Sequence, residues 1–386
     1  MDNQRAFVIF VSIVLLVYAG LNFYVYRRAM CAAAPVGAWL WVLRIVLWIG
    51  ILSYPMGRIV GLSNGFGVCL FRVGSFWLAV MTYGVLIAFL VDVIRLGDLM
   101  TGWLPGWVLA DRVQAGRMIF AGALVLIAML LTGGHIRALY PRTPEYTIEL
   151  AKFPADRDEY RIVMFSDTHL GTIVGVKQLN RILELVGYQS PDMVLIGGDL
   201  VDEPASRLTW AVEPLSKVEA PDGVYAITGN HEFYDGLKEF QELCDKTGIR
   251  VLRNEVVTMG SAINLIGLDD QTGYRQFNLK EVPIAELTAK ADPNLPVVLA
   301  HHTPTRIKEA ARAGVDIMLS GHVHEGQLWP FKYLAEAVYG VKTGLSKIDG
   351  MFFYLTSGAG TWGPPVRVLA TPEVVTLVLK RRNPIE

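Results

Sequence analysis

Residues 161–169 read RIVMFSDTH, an apolar run that closes on Ser166, Asp167, Thr168 and His169. A short run of this kind, bounded by a polar corner, reads as a buried strand. Its final residues set a carboxylate and an imidazole at the strand's carboxyl end. The same phrase recurs downstream at 193–196, 224–228, 263–268, 297–300, 317–320 and 352–356, each run ending in a polar or glycine-rich corner. Helical stretches at 176–188, 237–247 and 305–313 fall between several of them, so the fold class is α/β. In such sheets ligands gather in the crevice beyond the carboxyl ends of the strands.

The strand ends carry the chemistry. They supply Asp167-Thr168-His169, Gly197-Gly198-Asp199, Gly229-Asn230-His231-Glu232, His301-His302 and Gly321-His322-Val323-His324. Carboxylates, imidazoles and one amide oxygen form a mixed nitrogen and oxygen set that suits Mn, Fe or Zn rather than a thiolate-dependent metal. The i, i+2 spacings of Asp167/His169 and His322/His324 place both side chains of each pair on one face of an extended segment. A lone DxH or GNH reads as a turn or a capped helix start. Five clusters at five strand ends do not, and this supply fits two divalent metal ions better than one.

Working outward, the amino-terminal third has a different composition. Residues 1–135 hold nine arginines and four aspartates with no lysine or glutamate, and six of the nine tryptophans. Across the chain, 52% of residues are hydrophobic and 18% charged, and the mean hydropathy is +0.37, a shift from soluble norms that points to lipid. Residues 6–26 and 73–91 are charge-free runs close to the ~20 residues that span a bilayer as helix. Residues 36–57, with Arg44 inside, and 118–134, with His135 just beyond, read the same way. The expectation is about four transmembrane spans within residues 1–140, a linker with a lead-in strand at 141–160 and the α/β domain at 161–386. Arg44 is expected to face another helix or a polar cavity, and His135 to lie at the membrane interface. Trp39, Trp41, Trp103 and Trp107 suit an interfacial belt. Arginines flank the two ends of the bundle equally; Arg27 and Arg28 against Arg5 tip the amino terminus, and with it the soluble domain, away from the cytoplasm.

A net charge of −1 removes the basic field that non-specific nucleic-acid binding needs. Three scattered cysteines, Cys31, Cys69 and Cys244, exclude a disulfide scaffold or a CxxC zinc site. Gly358-Ala359-Gly360-Thr361-Trp362-Gly363 matches a dinucleotide fingerprint in letters only, because Pro364-Pro365 follows and no helical period opens. It reads as a tight corner lining the metal cleft.

The order DxH, GGD, GNHE, H, GHxH resembles the calcineurin-like metallophosphoesterase superfamily, and the tail segments GHVHEGQLWPF (321–331) and SGAGTWGPPVR (357–367) resemble its bacterial membrane-associated branch. The resemblance covers about residues 161–379 and implies a four-layer α/β/β/α sandwich with both metals at the strand ends. By motif, Asp167, His169 and His324 would hold one metal, Asn230, His301 and His322 the other, and Asp199 would bridge them. His301 is preferred to His302 because the family's ligand directly follows its strand, and 297–300 is the predicted strand. His231, paired in the family with Glu232, would stabilise phosphate charge or protonate the leaving oxygen. The function implied is a membrane-anchored phosphohydrolase acting on phosphodiester or pyrophosphate bonds, with a lipid-linked substrate suggested by the apolar residues Trp329, Phe331, Leu334, Val338 and Tyr339 after the last motif. Phosphomonoester or protein phosphatase activity, and a non-catalytic membrane sensor with a ligand-binding domain, are the alternatives.

Overall fold

The computed structural model describes residues 2–382 and divides into two compact units, Met1–Gly133 and Gly134–Glu386. The first consists of α1 (Asp2–Ala33), α2 (Ala38–Val60), α3 (Gly65–Thr101), the short α4 (Gly106–Ala110) and most of α5 (Arg112–Leu139). Among the described residues three of these, α2, α3 and α5, are long and apolar enough to cross a membrane, against the expected four or so. The expected span at 6–26 falls on α1, where the side chains of Ala6, Phe7 and Phe10 lie outside the described residues, as does that of Trp107.

Helices α2 and α3 pack through glycine. A Cβ at Gly57 would strike the backbone of Phe71, and one at Gly74 the backbone of Tyr54. Such close approach of two backbones supplies van der Waals packing along the helix pair. Buried polar groups add hydrogen bonds between helices: Trp77 Nε1 donates to Asn22 Oδ1 at 2.8 Å, and Tyr18 OH to the Ile51 carbonyl at 2.6 Å. Arg44, expected to face another helix or a polar cavity, lies beside an apolar, aromatic cleft instead of a polar one. Its guanidinium lies 5.2 Å from the Trp41 ring centre, beside a cleft shared with Tyr26 and Trp48.

The second unit begins with the last turn and a half of α5 and continues into two six-stranded sheets. One has the order β1 (Glu145–Leu150), β12 (Val375–Arg381), β2 (Tyr160–Phe165), β3 (Met193–Ile196), β4 (Val224–Ala226), β5 (Arg250–Val251). The other runs β10 (Gly344–Ile348), β11 (Met351–Leu355), β9 (Ile317–Ser320), β8 (Val297–His301), β7 (Ile263–Leu268), β6 (Glu255–Met259). Strand periodicity builds the layers. In β2 and β3, Ile162, Met164, Met193 and Leu195 enter the core between the sheets, where they meet Val298, Ala300, Ile317 and Leu319 from β8 and β9. The alternate residues Val163, Phe165, Val194 and Ile196 pack on the other face, against α6 (Val176–Tyr188), α7 (Thr209–Leu215) and the helix Leu237–Thr247. On the far side Leu299, Met318 and Phe353 meet the helices at 284–288 and 307–312. The result is the four-layer α/β/β/α sandwich.

All seven expected strands are present. Strands β5, β6, β10 and β12 were not among the predicted runs. β5 and β6 close one edge each, and β10 carries exposed residues on the other, so none shows a continuous apolar signal. β12 is buried, yet its place between β1 and β2 depends on pairing with residues more than 200 positions away.

Candidate metal centre

The carboxyl ends of β2, β3 and β4 from one sheet and of β8 and β9 from the other open into a common crevice, and the candidate ligands stand on the loops that leave them. The backbone there is unusual. Asp167, His169, Asp199, His322 and His324 all adopt positive φ, between 49° and 77°, a region that costs a non-glycine residue energy and clusters at functional sites. Hydrogen bonds hold these conformations. The amides of Asp167 and His169 donate to the carbonyls of Gly198 and Asp199 at 3.0 Å each, tying the first loop to the second. Gly198, at φ 90°, must lack a side chain, because a Cβ there would sit 2.7 Å from His302 Nδ1.

Among the described residues the candidate ligands fall into four groups, of which one, His169, Asp199 and His231, joins two that share no residue. Asp167, His169 and His324 form one: His324 Nε2 lies 3.0 Å from His169 Nε2 and 3.4 Å from Asp167 Oδ1. Asp199, His302 and His322 form the other, with Asn230 Oδ1 2.8 Å from His322 Nδ1. Asp199 lies between the groups, its Oδ2 3.8 Å from His169 Nε2 and 3.1 Å from His302 Nε2. Burial alone would raise the Asp199 pKa, but the imidazoles of His302, His231 and His169 hold it well below the carboxylate range. It is therefore an anion at neutral pH.

His301 and His302 exchange their expected places. Strand β8 runs one residue longer than predicted and includes His301, which pairs with Leu268 of β7. With period two, His301 follows Val297 and Leu299 to the helix side, where its Nε2 sits 3.2 Å from Thr305 Oγ1. Burial pushes it down to about 4, so it stays neutral. The residue that directly follows the strand is His302. Its Nδ1–H donates to the Gly197 carbonyl at 2.7 Å, which leaves Nε2 aimed at the carboxylates. Against the effect of burial, Asp199 and Asp167 push its pKa up to about 10: this nitrogen sits where a positive charge belongs.

The donor set fits metal. Asp167 Oδ2, His169 Nδ1 and His302 Nε2 are buried without a hydrogen-bond partner, a costly state unless a cation meets atoms of this kind. A carbonyl fixing the far nitrogen of His302 is the usual companion of a metal-bound imidazole.

His231 does not pair with Glu232. Its Nδ1 lies 3.0 Å from Asp202 Oδ1 and 3.5 Å from Asp235 Oδ2. Burial opposes protonation, but these two carboxylates hold the imidazole up at about 11, and His169 and His231 hold Asp202 down to about 2. Glu232 faces away and is fully buried. Its carboxylate accepts the amides of Gly229, Asp199 and Leu200 at 2.7, 2.9 and 2.8 Å, clamping the second and third ligand loops together.

Sequence reasoning missed Asp202, Asp235 and Arg367. Arg367 is completely buried and donates to the carbonyls of Ser357 at 2.7 Å and Gly360 at 2.7 and 2.9 Å, with longer bonds to Gly358 and His324. It stands in the PPVR tail already noted, but nothing local distinguishes it from a surface arginine. The glycine-rich corner it holds runs along the first ligand loop: Ala359 and Gly360 donate to the carbonyls of Ser166 and Asp167. Trp362 at its tip is 56% exposed, with its ring 6.1 Å from His231.

The apolar stretch after His324 divides. Leu328 packs into the sandwich, whereas the helix Phe331–Tyr339 buries none of its residues. Its last residue, Tyr339, meets the His322 ring edge-on at 5.8 Å. His135 Nδ1 lies 2.7 Å from the Pro365 carbonyl, away from any group of candidate ligands among the described residues.

A family model described as calcineurin-like phosphoesterase matches residues 160–326. The chain is 32% identical over 262 residues to an uncharacterized metallophosphoesterase of Aquifex aeolicus, an alignment that covers 67% of this chain and 100% of that one. A Helicobacter pylori protein of the same description is 34% identical over 252 residues, 65% of this chain and 66% of that one. A transmembrane protein with metallophosphoesterase domain from Danio rerio is 32% identical over 271 residues, 67% of this chain and 62% of its own length.

Proposed function

This chain belongs to the calcineurin-like metallophosphoesterase family and is a metal-dependent phosphoric ester hydrolase; we propose that it is a membrane-anchored, multi-pass enzyme that cleaves phosphodiester or pyrophosphate bonds of a lipid-linked substrate. The observation that carries the metal assignment is the convergence of buried, unpartnered ligand atoms from both sheets on one crevice. We assign Asp167, His169 and His324 to one divalent ion, Asn230, His302 and His322 to the second, and Asp199 to the bridge, with His302 replacing the expected His301. When bound, two such ions polarise a phosphoryl oxygen and make a nucleophile of water at neutral pH.

The residues of the chain have separable tasks. Asp199 is the shared anion, held in position by the His231 amide, which donates to its Oδ1 at 2.9 Å. His231, charged by Asp202 and Asp235, offers its remaining N–H to a phosphoryl or leaving oxygen at the mouth of the crevice. Glu232 is a positioning residue: by holding three amides it keeps the Asp199 and Asn230 loops in register.

The test is metal content and hydrolysis of a chromogenic phosphodiester by the full chain, before and after chelation. About two metals per chain, with turnover lost on chelation and restored by Mn or Zn, is the expected result; turnover indifferent to chelation would overturn it. In the same assay His231→Ala is expected to keep both metals and lose about 10²-fold or more in turnover, the usual contribution of a general acid. Metal loss in that variant would refute the division of roles.

The lipid reading rests on the helix Phe331–Tyr339, whose exposed Leu334 and Val338 continue from exposed Trp329 and whose end lies against His322. Apolar surface that starts in solvent and ends at a ligand suits a substrate with an apolar tail. Trp329→Ala is expected to lower turnover of a phospholipid in mixed micelles about tenfold while sparing a soluble phosphodiester. Equal effects on both would count against a lipid substrate.

A further inference from the structure

The first unit contains a cavity of about 800 Å³ between α1, α2, α3 and α5. Apolar side chains such as Leu47, Trp77 and Phe120 line it, and its only charged lining residues, among those described, are Arg28, Arg95 and Arg117. Contacts bring the three arginines to one end. Arg28 Nη2 pairs with Asp92 at 2.6 Å, one turn before Arg95 on α3. Arg117, near the start of α5, donates to the carbonyls of Ala33 and Ala34 where α1 finishes.

Their charges are not equally compensated. Asp92 neutralises Arg28. Arg117 rests on carbonyl oxygens without a carboxylate, and among the described residues the Arg95 guanidinium makes no hydrogen bond or ion pair. The nearby carboxylates are committed to helix ends: Asp98 accepts the Leu104 amide and Asp111 those of Val113 and Gln114. Two cations thus stand at the rim of an apolar cavity without an ion pair among the described residues. Basic pockets between membrane helices are where anionic headgroups bind.

We propose that this cavity binds one anionic phospholipid, its acyl chains against Leu47, Trp77 and Phe120 and its phosphate between Arg95 and Arg117. The site lies wholly within the first unit and rests on the membrane reading of its helices, not on hydrolysis.

The experiment is native mass spectrometry of the full chain released from nanodiscs of phosphatidylcholine containing phosphatidylglycerol. The expected result is one phosphatidylglycerol retained, preferred at least about tenfold over phosphatidylcholine. Arg95→Gln, at an exposed side chain without partners, should reduce that preference about fivefold. Ala123→Trp, which fills the cavity from its wall, should abolish retention. Equal retention of the two lipids, or retention untouched by Arg95→Gln, would overturn the proposal. So would displacement of the lipid by soluble glycerophosphoglycerol at equal concentration, since a free phosphate site would then suffice. Hydrolysis of the chromogenic phosphodiester, measured on the same samples, separates failure of this site from failure of the hydrolase reading.

Discussion

Asp199→Asn and His302→Ala are each expected to strip metal from the centre and lower turnover by about 10³-fold or more, roughly 4 kcal/mol of barrier, whereas His301→Ala keeps both metals. Asp199 Oδ2 faces His169 on one side and His302 on the other. An amide in its place offers one weak oxygen acceptor and an N–H that repels a cation, so a bridge cannot form. His302→Ala removes the nitrogen whose tautomer the Gly197 carbonyl sets. His301 lies one residue away but on the opposite face, against Thr305. Its removal leaves a cavity and costs stability without a ligand. Inductively coupled plasma measurement of metal per chain, alongside phosphodiester turnover, decides the matter. If His301→Ala loses metal and His302→Ala retains it, the assignment is reversed.

Arg367→Ala is expected to destabilise the second unit by about 4 kcal/mol, within the range for removing one partner of a buried charged network, and to lower turnover as well. Four carbonyls, from His324, Ser357, Gly358 and Gly360, lose their donor. Each buried carbonyl left unpaired carries a penalty, and water reaches the corner poorly. For a unit of this size that corresponds to a fall of about 10 °C in Tm. Arg367→Lys restores the charge but gathers its donors on a single nitrogen instead of spreading them over a fork, so it should recover only part of the loss. Scanning calorimetry checks the stability, and metal content separates the two consequences. A Tm within 2 °C of the parent would show that the network is dispensable.

Seven of the sheet strands and the corners that carry the candidate ligands were legible in the sequence because each of the seven predicted strands is largely apolar and stops at a polar corner. A fully buried strand leaves that mark without reference to its neighbours. The composition of residues 1–135 pointed to long apolar helices by the same local logic, since a bilayer would demand length and low charge from every span separately.

What tertiary structure alone decided is the direction of side chains and the company of isolated polar residues. The His301/His302 ambiguity is one residue wide in sequence, yet strand period two makes it the difference between a helix-packed imidazole and a candidate ligand. How far β8 pairs with β7 places His301 on the helix side. Glu232 follows His231 directly, but a helical start sends the two side chains to different sides, one to backbone amides and the other to Asp202 and Asp235. Arg367 has no local signature at all, because apart from His324 Nδ1 at 3.1 Å its partners are carbonyls, which every residue carries. Its role arises only when the chain's last loop folds back over the first ligand loop, some 200 residues earlier. Local pattern therefore determined which residues bear the chemistry, and long-range pairing determined which of them touch.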